Sequence, residues 1–242
     1  IAYMVCIFSV IYFIGYYFIS TPQQAQLIKS VHDGKFYAVK GFFKKPFINR
    51  GLKFAGASLL AAGACACFLI PVYFILSGCS ATSDSFPKEF KTYFSLFDFI
   101  TTHFASLETT IRSSGSDVLP NVYCSVLTLV LVPLFMLNRD IRTKEKAIYA
   151  LLIAFFLFSF NTNYANFVWH AFHFPNDLPY RFSFMYSFLL LVIGFKSLMK
   201  ISSIGIKEIG ITGLMWIAVI ALADELPTEK MQRSTSYVTL AF

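Results

Sequence analysis

The 242 residues are 57% hydrophobic and 14% charged, with 29 Phe and a mean hydropathy of +0.64. A soluble domain is about one-quarter charged, so this chain cannot cover itself with a water-facing surface, and an integral membrane protein follows. The net charge of +7 does not indicate nucleic acid, because no basic run is interleaved with base-stacking aromatics on a polar face; the charge falls in short loops between apolar runs.

The first apolar run covers 1–19 and opens directly as "IAYMVCIFSV". No positive n-region or cleavage site precedes it, so further sequence is expected upstream of Ile1 and, by the same reasoning at "YVTLAF", downstream of Phe242. The loop 20–51 is strongly basic, with Lys29, Lys35, Lys40, Lys44, Lys45 and Arg50, and Lys53 stands just beyond it. A second run, 52–76, leads into the long loop 77–121. There Phe86, Phe90, Phe94, Phe97 and Phe104 recur at steps of three, four and seven. That spacing predicts an amphipathic helix with its rings turned to lipid or to the other spans.

Four more runs follow at 122–137, 147–163, 182–199 and 209–223. A bilayer core needs about 20 apolar residues as helix, and the runs are continuous rather than alternating, so helices and not barrel strands are expected. The predicted fold is an all-α polytopic membrane protein. It has about six transmembrane helices in a single transmembrane domain over 1–242, with the amphipathic helix in a long extracytoplasmic loop. Counted over the alternating loops, 14 of the 20 basic residues fall on one side, which the positive-inside rule makes cytoplasmic. Cys79 and Cys124 both fall near the opposite face, where oxidation is possible.

The stretch 166–184, "NFVWHAFHFPNDLPYRFSF", then lies outside. Polar and ionisable groups at the edge of a membrane protein are costly and often functional. Arg181 begins the fifth span. Its planar fork and the helix N-terminus both suit a phosphate, although an Arg there also snorkels to headgroups or pairs with Asp177. His170 and His173, three apart, are expected on one helix face. With Asp177 they offer a metal three ligands, but hydrogen-bonded histidines are commoner, and no metal or cofactor is expected. Asn161, Asn163 and Asn166 approach the same end, as helix caps or as contacts for sugar hydroxyls. Trp169, Phe172, Phe174 and Tyr180 suit an aromatic belt, and aromatic faces also stack on sugar rings. Pro175 and Pro179 around "NDL" make a constrained loop.

Over this stretch the sequence resembles the YfhO family of bacterial membrane proteins. Trp169, His170, Pro175, Leu178, Pro179, Tyr180, Arg181, Ser183 and Phe184 carry the resemblance, supported by "IAYMVCIFSVIYF" at the start and "LPNVY" at 119–123. The resemblance implies a GT-C-type glycosyltransferase-like fold in a multi-pass protein of the bacterial cell membrane. It implies transfer of a sugar from an undecaprenyl-phosphate-linked donor to a cell-envelope glycopolymer such as lipoteichoic acid. Trp169, His170, His173, Asn176, Asp177, Tyr180 and Arg181 would then bind substrate, with membrane lipids and the acceptor polymer as partners and no nucleic acid. Such enzymes carry an acidic catalytic residue in the first outer loop, expected upstream of Ile1, so the catalytic residue within this chain is unknown. The alternative is a transporter or flippase for a lipid-linked glycan. No obvious pair of broken helices marks one in the sequence.

Overall fold

The computed structural model describes residues 2–31, 44–78, 86–105, 107, 119–173, 180–225 and 239. Among them the chain is all-helical: α1 Ala2–Val31, α2 Lys44–Ala64, α3 Ala66–Ser77, α4 Leu96–Thr101, α5 Val126–Leu137, α6 Thr143–Asn161, α7 Asn163–Trp169, α8 Ser183–Leu198 and α9 Ile206–Glu225. A single 3-10 turn, Ile201–Ser203, follows α8. No strand forms among the described residues; one isolated bridge joins Thr92 and Thr162. The chain divides into two compact units, 12–84 and the larger remainder, 1–11 with 85–242.

Each apolar run is helical, with shifted ends and, in the second and fourth, a break. Among the described residues two helices are long and apolar enough to cross a membrane, at Ala2–Ser20 and Ile206–Ala223. The second run begins earlier, at Lys44, and is bent by 73° between Ala64 and Ala66; counted as one span, that pair makes a third. The third run is cut short. Ser125 has φ 110° and uses its Oγ to accept from the Leu127 N–H, which starts α5 only at Val126. At a rise of 1.5 Å per residue the twelve residues of α5 span about 18 Å, against a bilayer core of about 30 Å. The 16 residues of α8 reach about 24 Å.

In the larger unit α5 packs on α8 and α9, and α6 packs on α7 and α8. Helices α6 and α8 run antiparallel. Glu145 in the first turn of α6 ion-pairs with Lys196 in the last turn of α8 and lies 3.8 Å from Arg142. At the opposite end Phe160 of α6 stacks on Phe182, which caps α8, at 4.8 Å. Asn138, just after α5, donates to the Lys200 carbonyl and accepts from Ser203, so the basic turns after α5 and α8 gather at one end.

Pro133 lies inside α5 and has no N–H, which leaves the Leu129 carbonyl four residues earlier without its helical donor. Trp216 of α9 supplies one: its Nε1–H donates to that oxygen at 2.9 Å. Phe104, fully buried, packs edge-on against the same indole at 6.2 Å. The sequence break in α5 is thus also the attachment point of α9.

The amphipathic helix expected over 86–104 does not form as one. Only Leu96–Thr101 is helical, opened by a capping box in which the Ser95 Oγ accepts from the Asp98 N–H and the Asp98 carboxylate accepts from the Ser95 N–H. Residues 86–95 are extended or bent, because their backbone groups bond elsewhere. The periodic Phe rings are distributed accordingly: Phe86 and Phe90 lie on Tyr164, Phe94 on Phe99 and Tyr180, and Phe104 on Trp216.

Candidate functional site

Helices α6 and α7 would be one helix were it not for Thr162, which is extended at φ −121°, ψ 136°. The break frees backbone groups, and the segment 89–94 takes them. The Asn163 N–H donates to the Lys91 carbonyl, and the Tyr93 N–H donates to the Asn161 carbonyl. Both flanking asparagines add side-chain bonds. The Asn161 Oδ1 accepts from the N–H groups of Tyr93 and Phe94, at 3.0 and 2.9 Å. The Asn163 Oδ1 accepts from the Lys91 N–H at 3.1 Å while its Nδ2 donates to the Glu89 carbonyl at 2.7 Å. These two asparagines clamp the segment 89–94 onto the helix break.

The third asparagine behaves differently. Asn166, 3% exposed, hydrogen-bonds the Tyr93 side chain, and burial pushes the Tyr93 phenol up. One turn later the His170 Nδ1 lies 2.8 Å from the Asn166 carbonyl. A carbonyl can only accept, so Nδ1 carries the proton and Nε2 presents its lone pair. His170 is itself 3% exposed, and burial lowers its pKa to about 4, with His173 and Arg181 adding a smaller push in the same direction. The ring is neutral at pH 7. Two buried acceptors, the Asn166 Oδ1 and the His170 Nε2, have no hydrogen-bond partner among the described residues. Such groups cost about 1–3 kcal/mol each and call for a donor. A histidine held near pKa 4 is a poor general base at neutral pH, so its role here is to accept and orient.

Helix α7 stops at Trp169, and the stop is specific. Ala171 donates to the Val168 carbonyl and Phe172 to the Phe167 carbonyl, the paired bonds of a Schellman turn. Ala171 takes φ 59° and Phe172 φ 63°, and the Phe172 ring packs back on Phe167 at 6.0 Å. This turn overturns one expectation. His173 lies beyond the helix, so the two histidines do not share a helical face. Their rings still meet, perpendicular, at 6.4 Å.

Trp169 is 2% exposed and belongs to no interfacial belt. Its ring stacks on Phe182 at 4.9 Å and lies nearly parallel to Phe156 at 5.9 Å. With Phe182 on Phe160, the rings form a ladder that holds α6, α7 and the start of α8 together. Tyr180, 7% exposed, packs on Phe94 and Phe160. Arg181 is exposed, in the turn before α8. Asn176 and Asp177 lie outside the described residues. His170 and His173 are thus brought together, with the His170 ring bonded to Asn166; the charge of Arg181 acts on His170, and Trp169 and Tyr180 belong to the ring packing of α6 and the start of α8. Among the described residues no three His, Cys, Asp or Glu side chains gather as a metal site. Cys124 is a free thiol, and its suggested partner Cys79 lies outside the described residues.

Sequence reasoning missed His103. It follows α4, and its Nδ1 lies 3.0 Å from the Phe99 carbonyl while its Nε2 lies 3.0 Å from the Tyr186 hydroxyl. Burial lowers its pKa to about 4. It ties the end of α4 to α8 just behind the ring ladder. No local pattern signals a bond between positions 83 residues apart.

Apolar helices, a ring-packed helical core and a polar cluster at one end define a helical membrane protein with an end-on site. The match to known families makes the assignment specific. Residues 1–241 match the family described as bacterial membrane protein YfhO, and the chain belongs to that family. Comparison with curated proteins and with solved structures gave no match.

Proposed function

We propose that this chain is the membrane part of an extracytoplasmic glycosyltransferase that takes a sugar from a polyprenyl-phosphate carrier and passes it to a cell-envelope polymer. Family membership supports a glycosyltransferase-like role. The observation that carries the site is the pair of buried acceptors, the Asn166 Oδ1 and the His170 Nε2, with no donor among the described residues, together with an exposed Arg181 whose charge acts on His170. Acceptors suit sugar hydroxyls, and an exposed guanidinium suits the phosphate that departs. Six crossings, completed by the shorter helices, put this cluster outside and the Glu145–Lys196 end in the cytoplasm. The experiment has two parts. Cysteines introduced singly at positions 144 and 173 of the full-length protein are probed in intact cells with an impermeant reagent; labelling is expected at 173 alone, and the reverse pattern contradicts the orientation. Proteoliposomes are then given radiolabelled undecaprenyl-phosphate sugar and acceptor polymer. Label in the polymer is expected, and intact donor moved across the bilayer without hydrolysis or transfer contradicts the enzyme.

That second outcome is a lipid-glycan transporter. The 73° bend between α2 and α3 favours it, since broken helices form transport sites. The break itself, at "AAGACAC" over 61–67, carries no charged or hydrogen-bonding side chain beyond the thiols of Cys65 and Cys67 to hold a substrate.

A further inference from the structure

The smaller unit holds a separate chemistry. Between α1 and α2 lies a cavity of about 440 Å³, lined by Phe13, Tyr16, Tyr17, Arg50, Lys53 and Phe54, with Ser20 at its edge. Its apolar side is well packed: Phe13 stacks on Phe54 at 4.6 Å, and Tyr17, 5% exposed, meets Phe47 edge-on at 4.9 Å. Its polar side is cationic. The Arg50 guanidinium lies 5.6 Å from the centre of the Tyr17 ring, and Lys53, three residues on along the same helix, is exposed. Neither cation pairs with a carboxylate among the described residues. The sequence explains why: from position 1 to 83 there are seven Lys and Arg and one acid, Asp33.

A soluble polyanion would satisfy the cations and leave the aromatic wall in water. A neutral lipid would cover the wall and leave two cations without counter-charge. Only a molecule that is anionic at one end and apolar at the other satisfies both sides at once. We propose that this cavity seats an anionic phospholipid of the adjoining leaflet, its phosphate between Arg50 and Lys53 and the head of its acyl chain along Phe13 and Phe54. The aromatic contact holds Arg50 beside the phosphate position, and each basic residue near an anionic membrane surface strengthens binding by roughly fivefold.

The test uses the full-length protein in detergent, titrated with dioleoyl-phosphatidylglycerol, with dioleoyl-phosphatidylcholine or with inorganic phosphate, and bound lipid is counted by native mass spectrometry. Phosphatidylglycerol should be retained over phosphatidylcholine. Arg50→Gln and Lys53→Gln should each weaken that retention roughly fivefold, and together roughly thirtyfold, while Lys91→Gln in the other unit changes nothing. Inorganic phosphate should not displace the lipid. Equal retention of the two lipids overturns the proposal, as does an excess of phosphatidylglycerol that survives in the double variant; displacement by phosphate alone overturns the lipid in favour of a soluble anion. Lys53 is exposed, so Lys53→Gln alone carries the test if the double variant does not fold.

Discussion

Replacing Trp216 by Phe removes one hydrogen bond and little else, and the structure says where the cost appears. The Trp216 Nε1–H is the donor to the Leu129 carbonyl, and no backbone N–H can replace it because residue 133 is Pro. A buried carbonyl left unpaired costs about 1–3 kcal/mol, whereas hydrogen bonds between membrane helices average about 0.6 kcal/mol in double-mutant cycles. Trp216 is only partly buried, so a loss of about 1 kcal/mol is expected. Pro133→Ala restores the missing N–H and closes the helical bond to the same oxygen. In that background Trp216→Phe should lose most of its effect, giving a coupling of about 1 kcal/mol between two residues that need not touch. The measurement is reversible unfolding of the full-length protein in mixed micelles for the four members of the cycle. An equal cost of Trp216→Phe in the wild-type chain and in the Pro133→Ala background would refute the reasoning, because the indole would then act by packing on Phe104 alone.

Stability should fall as pH drops from 6.5 towards 4. His103 and His170 are each held near pKa 4 in the folded chain and titrate near 6.5 when unfolded. Over that window the unfolded chain binds more protons, so both contributions are complete above pH 6.5 and are lost on acidification; melting temperatures that do not change from pH 7 to 5 would contradict this. Ala171→Gly should stabilise the protein by about 1 kcal/mol, since a side chain at φ 59° bears a cost that glycine does not; a lower melting temperature would count against the Schellman turn. Asn163→Ala removes two side-chain bonds to the segment 89–91, worth about 2 kcal/mol together. Faster amide exchange at Lys91 and Tyr93 should accompany the loss, and unchanged exchange there would show that the clamp holds nothing.

The helices were legible because an apolar run of this length has few other ways to satisfy its backbone. Their ends were not, since the break at Thr162 goes with bonds to the segment 89–94, some 70 residues earlier in the chain. The Phe spacing over 86–104 mimicked a helical period, yet Asn161 and Asn163, some 70 residues on, drew the backbone of that segment into an extended path. Trp169 shows the same limit. Tryptophan beside a charged stretch resembles a membrane-interface residue, and only the placement of Phe156 and Phe182 reveals it as core. Arg181 and His170 stand as candidates from local chemistry alone, because an ionisable group at the edge of an apolar helix is conspicuous in any sequence. Asn166 is visible there, but that its Oδ1 has no donor among the described residues is shown by no pattern of residues.

Arg181 is the residue on which the proposed sugar transfer most directly depends. Sugar transfer to the acceptor polymer should be measured in proteoliposomes of the full-length protein, with Arg181→Lys and Arg181→Ala compared at equal incorporation. Lys keeps the charge and loses the fork, whereas Ala loses both. A charged hydrogen bond to phosphate is worth about 1.5–3 kcal/mol, so the Ala variant should transfer roughly ten- to a hundredfold more slowly, with Lys between it and the wild type. Transfer at the wild-type rate by both variants would remove Arg181 from the site and leave the outer cluster as packing.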